Sequence, residues 1–143
     1  AMTESFEIVR NSILPNLLSS EAVSAHAVYP HRIFEAGKVV VKDPADNQGC
    51  RTVNSIGLLW AAREAGYNDV HAHVLALFYC LSREPTLAPV EDPRFLPGRA
   101  AEIRLNGKRA GVLGEVHPRV LEAWGIQMPC AAAEIDLDVV RGS

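Results

Sequence analysis

Asn106-Gly107 separates an alternating run, Arg99 to Leu105, from a second run, Lys108 to Val116. A two-residue type I′ turn needs positive φ at both central positions, and Asn followed by Gly meets that need best, so the stretch reads as an antiparallel β-hairpin. The short loop sets Leu105 opposite Lys108, Ile103 opposite Ala110 and Ala101 opposite Val112. One face of the hairpin is then largely apolar, while Glu102, Arg104 and Arg109 share a wet face. The apolar face demands a cover, and amphipathic helices elsewhere in the chain supply one.

Ser12 is placed to cap a helix whose first turn holds Pro15 and whose apolar side carries Leu14, Leu17 and Leu18. A short strand, Phe6 to Val9, precedes it. Tyr29-Pro30 ends that helix, and His31 to Lys42 reads as a strand, with Gly37 marking a bulge or a close backbone approach. The polar run Asp43 to Gly49 is a surface loop leading to a partner strand around Thr52 to Leu59. Val70, Val74, Leu77, Phe78 and Leu81 recur at helical spacing, which predicts a helix over 68–82 capped by Asn68 or Asp69. Pro85, Pro89 and Pro93 confine any strand between Glu84 and Leu96 to a sheet edge. Pro118 opens a short helix that ends at Gly125 and sends Trp124 toward the core, and Met128 to Leu137 is the last strand. The fold class is therefore α+β, an antiparallel sheet with helices mainly on one face.

With 143 residues, 48% of them hydrophobic, the chain has a core's worth of apolar side chains for one domain over 1–143, with residues 1–5 and 139–143 expected to fray. The formal net charge of −3 comes from well-mixed charges with no basic block, which disfavours unaided nucleic-acid binding. Cys50, Cys80 and Cys130 stand in no metal-ligand spacing and read as reduced thiols, pointing to a cytoplasmic setting. No apolar run suffices for a membrane span, and none is expected.

The sequence offers three chemical readings. His71 and His73 lie two apart on a helix, roughly 200° around its axis, so they share no face and make no zinc site. Gly111-Val112-Leu113-Gly114 lacks the third glycine and the parallel strand of a dinucleotide fingerprint; its glycines fit close packing by a neighbouring element. Glu115 and His117 point to one side of a strand and, with Arg99, are the candidates for lining a substrate pocket. Arg32 and Glu35 fall on opposite faces of their strand. No metal site and no catalytic residue is assigned.

Four segments together carry a family resemblance: VRNSILPNLL (9–18), YPHRIFEAGKVV (29–40), LPGRAAEI (96–103) and GVLGEVHPRVLEAWGIQMPCAAAEIDLD (111–138). They resemble the C-terminal core of the phenylalanyl-tRNA synthetase beta subunit, the catalytic-like domain with the class II aminoacyl-tRNA synthetase fold. Trp124-Gly125-Ile126 and Met128 to Glu134 look like the archaeal and eukaryotic type of that subunit.

The resemblance implies a chain that has lost catalysis. In such enzymes the alpha subunit handles ATP, Mg, phenylalanine and the tRNA end, and the beta core supports it in an α2β2 heterotetramer, touching tRNA only indirectly. This chain is then expected to need no cofactor itself. Its Arg32-Ile33-Phe34-Glu35 departs from the Arg-x-Glu of the class II second motif. Gly111 to Gly114, with Arg119 beyond a proline, departs from the Gly-x-Gly-x-x-Arg of the third. The resemblance also implies a piece of a longer chain in preference to a stand-alone relic. The alternative function is a stand-alone small-molecule-binding or hydrolytic domain reusing the fold, with Arg99, Glu115 and His117 around its pocket.

Overall fold

A computed structural model describes residues 12–23, 29–42 and 49–142. The expected strand at 6–9 and most of the polar loop at 43–49 lie outside these residues. Among the described residues the elements follow in the order α1 (Leu14–Val23), β1 (His31–Lys42), β2 (Cys50–Ala61), α2 (Tyr67–Cys80), β3 (Thr86–Pro89), β4 (Phe95–Leu105), β5 (Lys108–Val116), α3 (Pro118–Ala123), β6 (Cys130–Asp136) and α4 (Leu137–Arg141). These strands form one antiparallel sheet in the order β1-β2-β6-β5-β4-β3. The α+β class is as the sequence implies, and β3 with its proline takes the edge.

The last strand in sequence, β6, inserts between the two hairpins, so its residues are covered above and below. Cys130 and Ala132 join the apolar cluster under α1 with Val53, Leu59 and Val112. Ala131, Ala133 and Ile135 join a second cluster under α2 and α4 with Val74, Phe78 and Ile103. Helices therefore cover both faces of the central strands. The single wet hairpin face expected from the sequence is restricted to the hairpin tip, where Glu102 holds Arg104 at 2.7 Å and Arg109 at 3.5 Å.

The hairpin turn is as expected, with φ of 52° at Asn106 and 79° at Gly107. Its register is not. Leu105 faces Lys108 and Arg104 faces Arg109, but Ile103 faces Gly111 and Ala101 faces Leu113, so Ala110 is an extra residue. This bulge turns Val112 to the α1 side with Ala100 and leaves Leu113 on the α2 side with Ala101. A methyl group at Gly111 would collide with the Glu134 carbonyl of β6, so β5 at this point has no room for a side chain. At Gly37, by contrast, β1 and β2 pair without a break and there is no bulge.

Helix α2 is capped by Gly66, earlier than expected; Asp69, which the sequence offered as the cap itself, occupies the third helical position and accepts the Gly66 N–H at 2.9 Å. Residues 139–141, expected to fray, belong to α4, and Val140 is 2% exposed. Trp124 follows α3 but is 39% exposed, so Leu121 and Ile126, not the indole, fill the core there. Among the described residues no helix is long and apolar enough to cross a membrane.

Candidate functional site

The α1 side of the sheet carries an open groove of about 790 Å³. Val39, Val53 and Val112 form its floor, Leu14 and Leu18 a wall, and Trp124 a lip. Arg51, Arg94 and Arg109 stand around it with Glu134 and Asp136. Both carboxylates are engaged by backbone. Glu134 Oε2 accepts from the Ser12 hydroxyl at 2.6 Å and from the N–H groups of Ile13 at 2.9 Å and Leu14 at 3.1 Å. A β6 carboxylate thus caps α1, and the expected cap, Ser12, acts alongside it by accepting the Leu14 N–H at 3.3 Å. Asp136 Oδ1 caps α4 through the N–H groups of Asp138 and Val139.

Arg94 donates to Asp92 through Nε and Nη2 and to Ser12 Oγ through Nη1 at 3.1 Å. Burial pushes the Asp92 carboxyl up, but hydrogen bonds from Arg94 and its charge outweigh burial and hold it below the ordinary carboxylate value. The same hydrogen bonds raise Arg94.

Beyond the groove, the same face contains a buried polar cluster that the sequence analysis does not single out. Glu21, 1% exposed, accepts from His31 Nδ1 at 2.8 Å and from the Tyr29 hydroxyl at 3.1 Å, and the Tyr29 and His31 rings stack at 3.9 Å. His31 Nε2 is buried without a hydrogen-bond partner among the described residues. Burial, helped by the charge of Glu21, pushes the Cys130 thiol up to about 12.

The three residues proposed to line a pocket do not stay together. Arg99 Nη1 pairs with Glu115 Oε2 at 2.9 Å, and the same oxygen accepts the Tyr67 N–H at the start of α2. His117 instead caps α3, its Nδ1 accepting the Arg119 N–H at 3.0 Å. Among the described residues no hydrogen bond or ion pair joins His117 to Glu115 or Arg99.

Arg32 lies over the Trp60 ring at 4.8 Å on the α2 side of the sheet, whereas Glu35 follows the alternation to the α1 side. Gly111 and Gly114 are pressed against neighbouring strands; a methyl group at Gly114 would meet the Arg99 carbonyl at 2.7 Å. This is the close packing read from the sequence. His71 stacks on Tyr67 and His73 lies against Trp60, its Nδ1 at 2.7 Å from the Asp69 carbonyl. Apolar surface is left open on and beside α2: Phe34 is 57% and Tyr79 84% exposed, with Leu75 and Leu81 also exposed.

Residues 1–137 match the family described as the phenylalanyl tRNA synthetase beta chain CLM domain. The phenylalanine–tRNA ligase beta subunit of Treponema pallidum subsp. pallidum is 50% identical over 136 residues, 95% of this chain and 22% of the relative. That of Borrelia hermsii is 40% identical over 139 residues, 97% of this chain and 25% of the relative. The chain thus spans about a quarter or less of the length of these relatives. A crystal structure of pyrrolysyl-tRNA synthetase from Desulfitobacterium hafniense superimposes with a TM-score of 0.73 at 17% identity, over 92% of this chain and 48% of that one. At that identity the likeness is one of fold, and it is the synthetase-like fold expected from the sequence.

Proposed function

The chain belongs to the phenylalanyl-tRNA synthetase beta chain family, and from that premise we propose that it is a non-catalytic core, supporting the active site of an alpha subunit and the assembly of the enzyme that aminoacylates tRNA(Phe). One observation carries the reading: the residues standing where class II enzymes place their ATP-handling groups do not converge. Arg32 is spent on Trp60 on one face, Gly111 and Gly114 are consumed by strand packing, and Arg119 sits on α3 with its backbone N–H held by His117. Adenylation requires several cations focused on a triphosphate, and these residues form no such focus.

In this proposal ATP and Mg belong to the alpha subunit, the assembly is an α2β2 heterotetramer, and contact with tRNA is indirect. The open apolar side chains around α2, Phe34 and Tyr79 foremost, offer surface for a partner to bury. The kinship with archaeal and eukaryotic beta subunits is part of the same proposal and rests on Trp124-Gly125-Ile126 and Met128 to Glu134, although the similar chains named above are bacterial. A hydrolytic alternative gains no support from the site, because its histidine is a helix cap away from the Arg99–Glu115 pair.

ATP–pyrophosphate exchange tests the reading. The chain alone should give no phenylalanine-dependent exchange, and such exchange would overturn it. Mixed with the alpha subunit it should co-elute as one species, and Phe34→Glu should weaken that co-elution.

A further inference from the structure

We propose that the cup between α3 and the adjoining ends of β5 and β6 binds a small apolar ammonium ion. The cup holds about 440 Å³, within the range of small-molecule sites. Val116, Leu121 and Ile126, all buried, form its floor, and Leu96 and Pro129 stand as walls. Its opening follows from the way the strands part. Phe95 faces Val116 and Ala100 faces Gly114, so Leu96 to Arg99 of β4 stand opposite Glu115 alone and leave the ladder. The pairing of β5 with β6 stops at the same place, where Glu115 faces Ala131. The turn at Gly125, with φ of 72°, brings the chain back beneath α3, and the Ile126 N–H donates to the Leu121 carbonyl at 2.9 Å to close the far side.

The charges at the cup favour a cation. Its ionised side chains are two carboxylates, Glu115 and Glu122, and no Lys, Arg or His lines it. Glu115 is already opposed, because its Oε2 takes Arg99 at 2.9 Å and the Tyr67 N–H at 3.3 Å. Glu122 is not: among the described residues its carboxylate has no hydrogen bond and no ion pair, and it stands exposed at the rim. Cys130 closes the bottom as a neutral group, its thiol donating to the Met128 carbonyl at 3.4 Å and pushed up to about 12 by burial. An apolar tail gains by leaving water for the floor, while an ammonium at the rim meets the open carboxylate of Glu122. This inference does not rest on the scaffold reading, which requires no ligand here.

3-Phenylpropylamine titrated into the full chain, followed by backbone amide NMR, provides the test. Saturable binding is expected with a Kd on the order of 1 mM, as befits a fragment of this size, with shifts centred on Val116, Leu121 and Ile126. Glu122→Gln should weaken it about threefold, and raised salt should weaken the parent but not this variant. Ala65→Leu, which puts a larger side chain into the cup, should abolish binding. Glu84→Gln, an exposed carboxylate before β3, should leave it unchanged. 3-Phenylpropionate, the same body with the opposite charge, should not saturate. The proposal is overturned if the amine does not saturate, if the carboxylate binds as well, if Glu122→Gln binds like the parent, or if the shifts map elsewhere.

Discussion

Glu21 Oε1 lies 2.8 Å from His31 Nδ1, joining the last turn of α1 to the first residue of β1 inside the core. Both oxygens of Glu21 reach the same ring nitrogen, and one also takes the Tyr29 hydroxyl. The tie is worth more broken than made, because a buried group that loses its partner keeps the whole cost of its desolvation. Glu21→Ala should therefore destabilise the chain by about 3 kcal/mol in urea unfolding, and His31→Ala by a similar amount. In the double variant the two losses should not add: the second substitution should cost less in the presence of the first. Full additivity would show that the pair is not coupled.

Glu134 gives a second, local tie. From β6 it meets the first N–H groups of α1, and Glu134→Gln keeps the shape while removing the charge that strengthens those bonds. A loss of about 1–2 kcal/mol is expected. Amide hydrogen exchange should accelerate in α1 well before it does in β6, whereas uniform acceleration would place the effect in the sheet.

How much of this was legible beforehand depends on whether the deciding interaction is near in sequence. The Asn106-Gly107 turn is local, and it formed as read. The bulge three residues later is not local: it lies where β6 brings its Glu134 carbonyl against Gly111, and nothing between Arg99 and Val116 announces that neighbour. For the same reason the sequence allowed one wet sheet face, since only the insertion of β6 between hairpins gives the central strands two dry ones. Glu21, however, left a signal. Leu14, Leu17, Leu18 and Glu21 stand at i, i+3, i+4 and i+7, so a carboxylate sits on the helix stripe bound for the core and must meet a partner there. The groove left a weaker one, as Arg51, Arg94 and Arg109 are far apart in sequence and meet only through the sheet order.

Gly57 and Gly111 are positions where no side chain fits, for different reasons. At Gly57 an added methyl would press on Ile13 Cγ2 and lie 2.8 Å from Leu17 Cδ1, side-chain atoms that yield only if α1 moves slightly off the sheet. At Gly111 it would press on the backbone of β6, which cannot shift without breaking the ladder. Gly57→Ala should cost about 1–2 kcal/mol and Gly111→Ala about 3 kcal/mol or more. A thermal-unfolding comparison showing Gly57→Ala to be the worse of the two would refute this ordering.

The acid limit of stability should owe a part to Asp92. Its carboxyl is depressed in the folded chain by Arg94 against the opposing pull of burial. A group whose folded value is lowered stabilises the fold above its unfolded value, near 4, and that contribution fades as pH falls through the folded value. Asp92→Asn should cost about 1 kcal/mol at pH 7, with the gap to the parent closing as pH falls below about 4. A gap that stays constant over that range would mean the loss comes from packing rather than from charge.

The thiols should separate sharply in reactivity, because alkylation needs both access and thiolate. Cys80 is exposed at the end of α2 and Cys50 half-buried at the start of β2, whereas Cys130 is buried in β6 with its thiol pushed up to about 12. At pH 8 iodoacetamide should label Cys80 first and Cys50 more slowly. Cys130 should be labelled only when the sheet opens, at a rate that rises with urea in step with global unfolding, since β6 is flanked by strands on both sides and covered by apolar clusters above and below. Mass spectrometry of digested, time-resolved samples reads this directly. Labelling of Cys130 at the rate of Cys80 in native buffer would mean that the centre of the sheet opens locally, and with it the floor on which α1 and the groove rest.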